Sequence, residues 1–187
     1  MRISIYYPQM LIFISLCWLI VRGIVCRRQG RLELRREAML LLMYICLIVI
    51  ARFTFFPFFK VDGVIQPLAF DLSRMLPPRI NLGPFVNLTD YPERREIILN
   101  IVGNSTMFIP VGIVWPSLFP QLRKVKPGLA AGLGFSLVIE ILQLPFFDRV
   151  TDIDDLILNS LGYAVGYGIW LFSRFLGRKL CKSAAIQ

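Results

Sequence analysis

Four carboxylates and two carboxamides stand inside or beside one long apolar run. Glu140 and Gln143 lie inside an apolar run, and Arg149, Asp152, Asp154, Asp155 and Asn159 follow shortly after it. Asp152, Asp154 and Asp155 together with Glu140 offer hard oxygen ligands of the type that Mg²⁺ or Ca²⁺ takes, so a divalent cation is one reading of the cluster. Acid–base chemistry is another, with Glu140 and Asp155 as candidate catalytic residues. Aspartates at a helix start also serve as caps and gain from the helix dipole, and Asp154 or Asp155 is expected to cap the helix that follows. The chain has no histidine, which removes the usual general base and the commonest metal ligand.

The elements that must hold these residues are membrane helices. The chain has 187 residues, 56% of them hydrophobic, with a mean hydropathy of +0.65. About twenty apolar residues cross a bilayer core as a helix. Five runs qualify, at about 5–25, 38–59, 97–119, 127–147 and 155–176. The expected fold is therefore all-α, a polytopic transmembrane helix bundle of about five spans. A polar segment rich in Pro and Phe, 60–96, separates the second and third spans and is not expected to form one helix. Its apolar stretches at 64–70 and 82–88 are expected in the headgroup region or folded back over the bundle.

Charge supplies the orientation. Arg27, Arg28, Arg31, Arg35 and Arg36 follow the first span, Arg123, Lys124 and Lys126 follow the third, and Arg174, Arg178, Lys179 and Lys182 lie in the tail. Five spans put all three groups on one side, which the positive-inside rule makes the cytoplasm. The N-terminus is then outside and the C-terminus cytoplasmic. The net charge of +9 is accounted for by topology and anionic headgroups, so no nucleic-acid partner is expected. Only Arg2 precedes the first apolar core, so a cleaved signal peptide is disfavoured and the first span is expected to stay. Val25 before Cys26 argues against a lipoprotein. Cys17, Cys26, Cys46 and Cys181 lack zinc or redox spacing and are expected as free thiols. Asn87-Leu88-Thr89 matches a glycosylation sequon and is discounted.

With this topology the polar residues of three spans fall at one level. Ser136, Glu140 and Gln143 share one face of the fourth span, and Glu140 lies roughly 10 Å below its outer end. Asn100 and Asn104 share a face of the third, and Asp155 and Asn159 a face of the fifth. Arg52 in the second span and Arg149 at the turn are the candidate cations. Polar side chains at membrane depth face the bundle interior or a water-filled cavity. Asn, Gln and Ser also bridge helices without further function, but bridging does not require this much charge. An outward-facing polar pocket is expected, with Arg52, Asn81, Asn100, Asn104, Gln143, Arg149, Asp152 and Asn159 as ligand-binding candidates. Gly162 and Gly166 form a GxxxG pair, and Gly128, Ala131, Gly132 and Gly134 smooth the fourth span, both favouring close helix packing. Pro110 is expected to kink the third span.

These residues resemble a family. Asn81-Leu82-Gly83-Pro84-Phe85 is similar to the NLxPF element of VanZ-like membrane proteins, and Asn100 and Asn104 with Phe108-Ile109-Pro110-Val111-Gly112 to its N-x3-N…F-x-P-x-G helix. Ser136, Ile139, Glu140 and Gln143 resemble its S-x2-IE-x2-Q, and Arg149, Asp152, Asp154, Asp155, Asn159 and Gly162 its R-x2-D-x-DD-x3-N-x2-G. The likeness covers about 75–170 and suggests three parts: two N-terminal helices and the start of a loop (1–74), a VanZ-like core (75–170) and a basic tail (171–187). It implies a multi-pass protein of the bacterial cell membrane with a link to glycopeptide (teicoplanin) resistance, and the outward-facing pocket is expected to act on or bind a polar lipid headgroup or lipid-linked cell-wall precursor. A non-catalytic accessory or scaffold protein is the alternative, and a small transporter a weaker one, because no repeat is visible.

Overall fold

A computed structural model describes residues 3–29, 33–56, 61, 63–75, 77–84, 94–147 and 149–184. Asp62, Phe85, the sequon at Asn87, Asp90, Glu93 and Asp148 lie outside them. Five helices are long and apolar enough to cross a membrane: α1 (Tyr7–Gln29), α2 (Leu34–Phe55), α3 (Arg94–Leu118), α4 (Val125–Gln143) and α5 (Ile153–Ala184). The fourth span ends earlier than hydropathy suggests, because residues 144–147 leave the helix as a turn. The fifth runs further than expected, carrying its basic residues on a continuing helix.

The helices are joined at one end by short strands: β1 (Ile3–Ile5), β2 (Leu68–Phe70), β3 (Ile80–Asn81) and β4 (Thr151–Asp152). β1 pairs with β2 antiparallel, and β3 with β4 parallel, with Asn81 opposite Asp152. A bridge between Phe70 and Phe146 and the Asp71 N–H to Pro145 carbonyl bond (2.8 Å) fasten the same segment to the α4–α5 turn. The segment after α2 therefore folds back over the bundle, and Leu68 is buried in the core.

α3 and α5 pack most extensively of all the helices, and glycine explains how. A Cβ on Gly162 would strike the Ser105 carbonyl, one on Gly166 the Ile109 carbonyl, and one on Gly112 the Tyr163 carbonyl. The two backbones touch because nothing projects between them. On α4, Gly128 and Gly132 leave room for the rings of Tyr167 and Tyr163. Trp115, Tyr163, Tyr167 and Trp170 form a run of ring contacts filling the half of the bundle away from the strands. α1 buries no residue and sits beside α2, held by the Arg22–Glu37 ion pair and a Ser15–Tyr44 hydroxyl bond of 2.6 Å. Cys17, Cys26 and Cys46 are free thiols.

Candidate functional site

Periodicity brings the polar residues of α3, α4 and α5 to the strand-bearing end. They form two layers there rather than one cluster. The first faces a cavity of about 700 Å³ between α2 and α3, lined at its polar end by Asn100, Asn104, Arg149, Asp155 and Thr54. Asn104 Nδ2 donates to Asn100 Oδ1 (2.9 Å) and to Asp155 Oδ1, linking α3 to α5. Arg149 Nε donates to the Phe55 carbonyl at 2.8 Å, and its charge attracts that of Asp155. The site thus presents one cation, one carboxylate and two carboxamides.

The rest of the cavity is apolar. Leu42, Ile45, Cys46 and Val49 of α2 face Met107 and Pro110 of α3. From Leu42 to Phe56 the α2 wall rises about 21 Å, more than half of a hydrocarbon core about 30 Å thick. Leu42, Ile45, Val49 and Phe53 are also exposed on the protein surface, so the groove opens sideways between the helices. Pro110 lacks the N–H that would bond the Thr106 carbonyl, and Thr106 lines the cavity.

The second layer lies behind the first, and Glu140 belongs to it. Glu140 is 2% exposed and is not among the residues lining the cavity. Its Oε2 accepts from the Asp152 backbone N–H at 3.0 Å, and its carbonyl from Thr151 Oγ1 at 2.9 Å. Asp152 and Asp155 are near enough to repel its charge. Gln143 Nε2 donates to the Thr54 carbonyl at 2.6 Å, tying α4 to the end of α2. Asn159 Nδ2 donates to Ser136 Oγ at 3.1 Å, joining α5 to α4. Gln143 and Asn159 thus join helices and do not line the cavity.

Three placements bear on the sequence reading. Arg52 is not a cavity-lining residue: its guanidinium lies over the rings of Tyr7 and Phe53, 5.7 and 5.3 Å from their centroids. The cap of α5 is Asp152, whose Oδ1 accepts from the Asp154 N–H at 3.0 Å, in place of Asp154 or Asp155. Among the described residues no group of three or more His, Cys, Asp or Glu side chains is placed to hold a metal ion. Glu140 and Asp152 are instead occupied by backbone N–H donors, and Asn81 Nδ2 lies 3.4 Å from both Asp152 oxygens. Asn81 orients this capping residue and does not line the cavity. Thr54 and Thr151 were not read from the sequence. A lone threonine near a helix end carries little signal, although Thr54 closes the α2 turn that also bears Arg52.

These features define a polytopic α-helical membrane protein with a cavity between α2 and α3. The chain belongs to the VanZ/LLP1 family, whose model matches residues 41–175. That range holds α3 and α4, most of α2 and α5, and both polar layers, and leaves α1 outside. No curated protein and no solved structure matches the chain.

Proposed function

We propose that this protein binds a membrane lipid, with the polar headgroup at Asn100, Asn104, Arg149 and Asp155 and the chain along the α2–α3 groove. The observation that carries this reading is the continuity of a polar end and a long apolar groove within one cavity that opens sideways between the helices. Its volume falls within the range of about 300–1,000 Å³ usual for ligand sites. A cation and an anion beside two carboxamides suit a headgroup that carries hydroxyls or both signs of charge. Asp155 is the carboxylate within reach of such a headgroup, and a chemical step would fall to it, with Glu140 as a positioning residue.

The distribution of Lys and Arg supports a cytoplasmic basic end and an outward-facing pocket. The ligand would then be an outer-leaflet lipid or lipid-linked wall precursor of a bacterial cell membrane, and occupancy of such a precursor would connect the protein to glycopeptide resistance. The aromatic packing between the pocket and the basic end supports binding over transport.

The test is mass-spectrometric analysis of lipids that copurify with the wild type, Asn104→Leu and Asp155→Asn, alongside teicoplanin susceptibility of the producing cells. Loss of one lipid class from both folded variants is the expected outcome. Lipid profiles identical to wild type would leave an accessory or scaffold role in its place.

A further inference from the structure

The opposite end of the bundle holds a second cavity, of about 610 Å³, bordered by the start of α2, the end of α3, the 3-10 turn Pro120–Arg123 and α5. Arg35, Arg36, Arg123 and Arg174 line it, against one carboxylate, Glu33. They come from three separate parts of the chain, so the fold gathers them. Among the described residues none of the four is seen in an ion pair.

Two of the guanidinium groups are held by neutral neighbours. Arg123 Nε donates to the Pro116 carbonyl at 3.2 Å, and its Nη2 lies 3.5 Å from the Ser117 carbonyl. Arg174 sits over the Trp170 ring, 4.9 Å from its centroid, and Trp170 is itself buried at the cavity wall. The first turn of α2 borders the same space, with leading N–H groups that have no acceptor within the helix, and Glu33 makes no side-chain cap there. Four cations gathered around one carboxylate repel one another, and an anion placed among them reverses that balance.

We propose that this cavity binds the phosphate of an anionic phospholipid from the leaflet at the basic end. Guanidinium forks match phosphate oxygens in pairs. The position supports a lipid over a free ion. The arginines stand at the ends of membrane helices, where headgroups lie, and the wall beneath them is apolar, with Met39 and Trp170. The site shares no lining residue with the α2–α3 cavity and does not depend on its ligand.

The test uses the full chain, delipidated in a neutral detergent and titrated with cardiolipin, phosphatidylglycerol or phosphatidylcholine, with retained lipid read by native mass spectrometry. The two anionic lipids should be retained in preference to phosphatidylcholine. Arg36→Gln/Arg174→Gln should weaken their retention about tenfold or more. Arg27→Gln/Arg28→Gln alters two arginines in the last turn of α1, outside the cavity, and should change it by less than about twofold. Equal loss in both double variants overturns the site, since it reduces the effect to general attraction by a basic surface. Equal retention of phosphatidylcholine by the wild type overturns it as well, and that comparison stands even if the cavity variant does not fold.

Discussion

Glu140 Oε2 accepts the Asp152 backbone N–H at 3.0 Å, so a carboxylate near the end of α4 holds the residue that caps α5. The buried acid is thereby a fastening between two helices, and the first consequence concerns which property of it is needed. Glu140→Gln keeps an acceptor and should melt close to wild type. Glu140→Leu leaves the Asp152 N–H without one and should cost about 1–3 kcal/mol. Thermal unfolding in detergent followed by circular dichroism checks this. A glutamine variant as unstable as the leucine variant would show that the charge itself is required.

Glycine at the α3–α5 contact makes a sharper contrast. Gly162→Ala or Gly166→Ala drives a methyl group into a backbone carbonyl, whereas a Cβ at Gly134 or Gly168 meets nothing within 4 Å. The first pair should lose about 1–3 kcal/mol. The second pair should stay within about 0.5 kcal/mol of wild type. The same unfolding measurement on all four variants decides it, and uniform effects would refute the close backbone contact.

Asn159 and Ser136 offer a pairwise test. Both are buried, and the 3.1 Å bond between them joins α5 to α4. A double-mutant cycle with alanine at each position should give a coupling of about 0.6–1.7 kcal/mol. Additive single effects would mean that the bond contributes nothing measurable.

Arg52 separates depth from direction. Because its guanidinium lies over Tyr7 and Phe53, Arg52→Leu should weaken the seating of α1 on α2 by about 0.5–2 kcal/mol. Lipid retention in the α2–α3 cavity should remain at wild-type level. A variant that folds normally but releases its lipid would return Arg52 to the pocket.

The helices were legible because apolar runs of spanning length leave little alternative. That Asn100 and Asn104 share a face of α3, and Asp155 and Asn159 a face of α5, was legible because spacings of four residues fix a face. Glu140 and Arg52 mark where that reasoning stops. Periodicity places a side chain at a level and on a face, but it does not decide which of two adjoining layers the side chain enters. The strands were not legible for a related reason. Pairings of two or three residues, such as Asn81 with Asp152, are too short for alternation to show. The apolar wall of the groove on α2 was also hidden, since Leu42, Ile45 and Val49 read the same whether they touch an acyl chain in a cavity or the bulk bilayer.

The bare backbone contact between α3 and α5 has a mechanical consequence for the groove beside it. A helix pair that meets backbone to backbone has no side-chain layer to deform, so α3 is a fixed jamb. Under the proposed function, admission of a chain would then fall to α2, which is pinned at its Thr54 and Phe55 carbonyls by Gln143 and Arg149. Swinging from that latched end, α2 would act as the door, and the rate at which lipid enters and leaves would be set by how far its opposite end can travel.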